Sequence, residues 1–212
     1  KSPLPRLLAP YEQGLFADAP QSGWEAAPHG GTRAGESNPT LVNNVETLSN
    51  VPHILARGPA WFRSMGTDGS PGSILATVVG DVATAAVGEV EMGTTLREVI
   101  DRVGGGPAGD HPVKAVFSGA ANAVITGADL DVPLTYEGFQ AIGSGLGSAG
   151  FIVYDETACM VNAAYLLSRF LSIESCGQCP PCKLGSQEIT TRLERLETGT
   201  GTDDDVAEIA GW

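Results

Sequence analysis

The sequence predicts an α+β fold on three observations: short β-rich runs gather in the middle of the chain, a capped amphipathic helix lies among them, and beyond residue 155 the pattern becomes helical. Taken in order, these divide the chain into 1–71, an irregular arm plus a helix over about 41–57 and a short second helix behind it, a small mixed domain over 72–154 and a helical unit over 155–212.

Over 1–40, Pro3, Pro5, Pro10, Pro20, Pro28 and Pro39 interrupt any regular period, which predicts an irregular arm. Leu41, Val45, Leu48 and Leu55 then recur at near-helical spacing until Gly58-Pro59, and a short helix holding Trp61 and Phe62 follows. Ser73 to Asp81 is β-rich and Val87 to Met92 alternates weakly, so the two runs are expected to pair. Thr95 and Glu98 form a capping signature ahead of Leu96, Val99, Ile100 and Val103, and the glycines from Gly104 stop that helix. Lys114 to Phe117, Asn122 to Ile125 and Phe151 to Tyr154 supply further strands. After Asp155, Val161, Ala164, Tyr165, Leu167 and Leu171 mark an apolar helical surface. A second helix over about 184–197 sets Ile189, Leu193 and Leu196 on one side, with Arg192 outside. Thr202 or Asp203 can cap a last helix carrying Val206 and Ile209.

The bulk properties exclude some functions. A net charge of −13 with only 12 Lys and Arg leaves no basic face for a nucleic-acid backbone or an anionic lipid leaflet. No apolar run reaches the roughly 18 residues of a membrane span and no charged-then-apolar leader opens the chain, so a soluble, cytoplasmic protein is expected. The chain opens at Lys1 without Met and stops at Trp212 inside a helical pattern, which reads as a piece of a longer protein.

Cys176, Cys179 and Cys182 in ESCGQCPPC are the strongest chemical signal. Two-residue gaps let a tight turn aim successive thiolates at one point, Gly177 permits the turn, and Pro180-Pro181 stiffen it. A 4Fe–4S cluster normally takes four cysteines, and the ferredoxin-type fourth position holds Ser186. The fourth ligand is therefore Cys159 or a residue beyond Trp212. The second is favoured, because Cys159 in an apolar helical stretch reads as a small core residue. Structural zinc, which typically uses two separated pairs, and disulfides or unligated thiols remain the competing readings.

ESCGQCPPCKLG closely resembles the cluster-binding segment of the NADH-oxidising flavoprotein subunit of respiratory complex I and of its relatives in NAD-linked hydrogenases and formate dehydrogenases. NPTLVNNVETL at 38–48 is similar to that family's flavin-contacting segment, AIGSGLGSAGFIVYDE at 141–156 to the strand preceding its cluster domain, and the region about 72–150 to its soluble-ligand-binding β-grasp (SLBB) domain. The resemblance implies that NADH gives hydride to FMN and that electrons leave singly through a 4Fe–4S cluster. It implies Cys176, Cys179 and Cys182 as three cluster ligands with the fourth past Trp212, and Asn43, Asn44 and Thr47 as FMN contacts. It further implies residues 1–71 as a remnant of the flavin domain, redox partner subunits including a thioredoxin-like 2Fe–2S protein, and a peripheral place on the inner membrane face through a complex. The family's glycine-rich FMN and NADH loop should lie before Lys1, so the chain alone is expected to be inactive.

The residues also admit plainer roles. Asn43 with Glu46 has the spacing of a helix cap and its reciprocal acid, and Gly143, Gly145 and Gly147 precede a strand, which suits a turn and not a dinucleotide fingerprint. His29, His53 and His111 have no metal-ligand spacing and receive no role. A non-enzymatic β-grasp interaction module with zinc or vacant thiols is the second functional reading.

Overall fold

The computed structural model describes residues 43–211. The predicted arm over 1–40, Leu41 and Trp212 lie outside the described residues. Two compact units result, one over Asn44–Met160 and one holding the C-terminal segment from Val161. No described helix is long and apolar enough to cross a membrane.

The first unit opens with helices α1 (Val45–Arg57) and α2 (Pro59–Arg63) and then builds a mixed sheet. Its elements are β1 (Ser73–Gly80), β2 (Ala86–Glu91), α3 (Leu96–Gly104), β3 (Val113–Phe117), β4 (Ile125–Thr126), α4 (Tyr136–Ala141) and β5 (Gly150–Asp155). Strand order is β2-β1-β5-β3-β4. The first and last strands pair in parallel at the centre, Val78 opposite Phe151, while β1–β2, β3–β5 and β3–β4 are antiparallel.

Alternation along β1 and β5 points Ala76, Val78, Phe151 and Val153 inward, where they are fully buried. The helix α3 covers them with Leu96, Val99 and Ile100, residues at i, i+3 and i+4 that share one helical face. Its start is as the sequence predicts: Thr95 accepts from the Glu98 amide and Glu98 reaches back to the Thr95 amide at 3.0 Å. Gly105 at φ 72 ends it.

The structure departs from the sequence reading in several places. A strand predicted over 122–125 is reduced to Ile125–Thr126, because the Asn122 side chain donates to Ser118 O at 2.9 Å and Gly145 O at 3.1 Å and so closes a turn. The helix α4 has no sequence counterpart; six residues are too few to display a period, and only Thr135, which accepts from the Gly138 amide at 2.9 Å, signals it. In α1 no residue is buried, and Val45 and Leu55 of the predicted apolar face are 78% and 80% exposed.

The second unit comprises α5 (Met160–Glu174), a π-helical turn (Pro181–Gly185), α6 (Ser186–Glu197) and α7 (Asp203–Gly211). The apolar surface predicted for α5 is not buried as read: Ala163 is its one buried residue, Val161 and Leu171 are exposed, and so are Leu166, Phe170 and Ile173. Leu193 of α6 is buried as expected. Arg192, expected outside, keeps only 15% of its side chain exposed because Glu188 and Glu208 both pair with it. The acidic run starts α7: Thr202 donates its amide to Asp205 at 3.0 Å, and Arg195 pairs with the same carboxylate.

Candidate metal centre

The thiol loop begins where α5 stops. Ser175 makes the last helical hydrogen bond, amide to Leu171 O at 3.0 Å, and Cys176 then leaves the helix. Gly177 adopts φ 71, which side chains disfavour, and this turns its amide back to Ser175 Oγ at 3.2 Å. Cys179 lies before the π-helical turn and its carbonyl accepts from the Lys183 amide at 3.0 Å, while Cys182 lies within that turn. Ser175 Oγ is 3.4 Å from Cys182 Sγ, so the first and last parts of the loop meet through this serine.

Cys176, Cys179 and Cys182 are all exposed and none is in a disulfide. Among the described residues no three His, Cys, Asp or Glu side chains gather as a preformed metal cage. The donor set nevertheless fits an iron–sulfur centre, since three accessible thiols at two-residue gaps supply soft ligands from one short loop.

Cys159 is exposed and stands just before α5, so its reading as a small core residue is corrected. A burial argument from apolar neighbours fails there because the helix starts one residue later.

The predicted flavin contacts fall at the start of α1. Asn44, not Asn43, is the N-cap: its Oδ1 accepts from the Thr47 amide at 3.0 Å. Glu46, expected to close a reciprocal cap, instead accepts from the Leu75 amide at 2.7 Å. Leu75 lies on β1 before the β5 pairing begins at Thr77, so the carboxylate takes up an edge amide the sheet leaves unpaired. Asn44 and Thr47 line an open groove of about 750 Å³ whose wall also includes Phe62, Met92 and Tyr136. Buried Ser70, donating to Glu137 at 3.1 Å, is a polar feature of that wall which carries no sequence signal.

Residues 162–212 match the family described as the NADH-ubiquinone oxidoreductase-F iron-sulfur binding region, and the thiol loop lies inside that match. The chain is 42% identical over 174 residues to the F 2 subunit of the NADH-quinone oxidoreductase of Rhizobium meliloti (strain 1021), covering 82% of this chain and 41% of that protein. It is 40% identical to the HndC subunit of the NADP-reducing hydrogenase of Solidesulfovibrio fructosivorans, covering 81% of this chain and 35% of that one. A solved structure of an NAD+-reducing [NiFe]-hydrogenase in the H2-reduced state superposes with TM-score 0.70 at 34% identity, over 82% of this chain and 29% of the other. The chain thus spans about two fifths of the length of the curated relatives it matches.

Proposed function

We propose, from the premise that this chain is of the F-type flavoprotein class of NADH-quinone oxidoreductases and related hydrogenases, that it carries the electron-exit end of an NADH-oxidising flavoprotein. The observation that carries the proposal is the position of ESCGQCPPC within the matched region 162–212, in a loop that leaves all its thiols accessible. Cys176, Cys179 and Cys182 are three ligands of a 4Fe–4S cluster, and the fourth comes from outside these three, beyond Trp212. When bound, the cluster accepts and releases one electron at a time, which matches a two-electron donor such as a reduced flavin to single-electron carriers.

Asn43, Asn44 and Thr47 contact FMN in this proposal. The first turn of α1 supports it: amide donors and the positive end of a helix of 13 residues suit a phosphate-bearing ligand. The central parallel pairing of the first and last strands with a helix across the sheet supports a β-grasp, SLBB-like domain near 72–154. The partners are other redox subunits, including a thioredoxin-like 2Fe–2S protein, in a complex peripheral to the inner membrane face.

Anaerobic absorption spectroscopy with iron and zinc analysis on the full-length protein tests the assignment. A broad iron–sulfur band with iron and no zinc is expected. Stoichiometric zinc without iron would instead support an interaction module with a structural metal site.

A further inference from the structure

Within the thiol loop Ser175 has no part assigned by its ligand chemistry. Its backbone is fixed by the last hydrogen bond of α5, and its Oγ lies between two partners, the Gly177 amide at 3.2 Å and Cys182 Sγ at 3.4 Å. An amide can only donate, so the hydroxyl accepts there. Its single proton is then left for the sulfur. When Cys182 is a thiolate, as any metal ligand must be, the hydroxyl is the only possible donor in that pair.

We propose that Ser175 is a positioning residue whose hydroxyl donates to the Cys182 thiolate of the bound cluster, holding the two ends of the loop together and raising the cluster's reduction potential. This rests on the reading of Cys182 as a cluster ligand. One-electron reduction adds one negative charge to the iron and sulfur atoms and breaks no bond to the protein. A hydrogen bond to a ligand sulfur stabilises the more negative, reduced state more than the oxidised one, and hydrogen bonds of this kind are among the levers that set such potentials. Loop closure is helped as well, because the serine links the residue after Cys176 to Cys182 before any metal is present.

The test compares wild type, Ser175→Ala and Ser175→Thr in the full-length protein, reconstituted anaerobically with ferrous iron and sulfide. Iron content, thermal midpoint and the reduction potential from an EPR-monitored dithionite titration are measured. The expected result is a more negative potential for Ser175→Ala at unchanged thermal midpoint, with Ser175→Thr returned toward wild type. An alanine variant that fails to load while the threonine variant loads with the wild-type potential also supports a hydroxyl-dependent role. An alanine variant that takes up iron and keeps the wild-type potential overturns the proposal. Failure of the wild-type protein itself to take up iron overturns the cluster reading, and the role of Ser175 with it, and is seen without any variant.

Discussion

Cys159 and Cys176 illustrate how residues of one type separate by position. Fifteen helical residues of α5 lie between them in the chain, about 22 Å of helix at about 1.5 Å per residue, so Cys159 is not a local partner of the loop. Cys159→Ala is therefore expected to leave cluster assembly intact, while Cys179→Ser lowers iron content several-fold; loss of iron in the Cys159 variant would reverse the ligand assignment. Asp205 shows a second residue-scale effect. The hydrogen bond from Arg195, then that from the Thr202 amide, pulls its carboxyl from 3.8 down to about 2. A carboxyl lowered on folding contributes stability that is fully present above its unfolded value and is lost as pH falls through its folded value. The C-terminal helical unit should thus lose stability between about pH 4 and pH 2, and Asp205→Asn should flatten that part of the profile, as followed by the helical circular dichroism signal.

At the scale of elements, the ends decide more than the middles. The cap at Thr95 satisfies amides that α3 would otherwise leave open, and Thr95→Ala should cost about 1 kcal/mol in denaturant unfolding. Gly80 ends β1 at φ 97, and a Cβ there would sit 2.1 Å from Val153 O in the central parallel pair. Gly80→Ala then meets both backbone strain and a backbone clash, and should lower the unfolding free energy by more than the ~1 kcal/mol of the cap, with the β1–β5 amides losing exchange protection first. An alanine variant at Gly80 as stable as wild type would show that the parallel pair can open there without loss. By contrast α1 and α5 bury little of the apolar surface they carry, so their form rests on local hydrogen bonds, joined in α1 by the Asn44 cap, more than on packing of their apolar faces.

For the whole molecule, the balance of charge sets behaviour in solution. The net charge of −13 and a sequence pI near 4.5 keep the chain self-repelling at neutral pH. Solubility should fall to a minimum near pH 4.5, measurable by turbidity, since exposed Phe170, Leu166 and Ile173 then meet with little charge to hold copies apart. The core of the sheet unit supplies the opposite pull. Leu96 is fully buried among β-strand residues, and Leu96→Ala should cost about 2–5 kcal/mol and lower the melting midpoint of that unit.

Sequence alone determined what is local. The β-rich run from Ser73 to Asp81, the Thr95–Glu98 cap and the C-x2-C-x2-C spacing each depend on neighbours a few residues away, and each is legible without coordinates. The likeness of 162–212 to an iron–sulfur region was legible for the same reason: a ligand loop is a short motif. Contacts between distant residues were not. That Glu46 reaches Leu75, that Asn122 ties Ser118 to Gly145 and that Ser70 meets Glu137 depends on which strand ends fall side by side. So does the order β2-β1-β5-β3-β4, because pairing partners far apart in sequence are chosen by the shared core and not by any local preference. Only the fold brought Ser175 Oγ to Cys182 Sγ across seven positions, since the turn at Gly177 and the π-helical turn must both form before the two ends of the loop can meet.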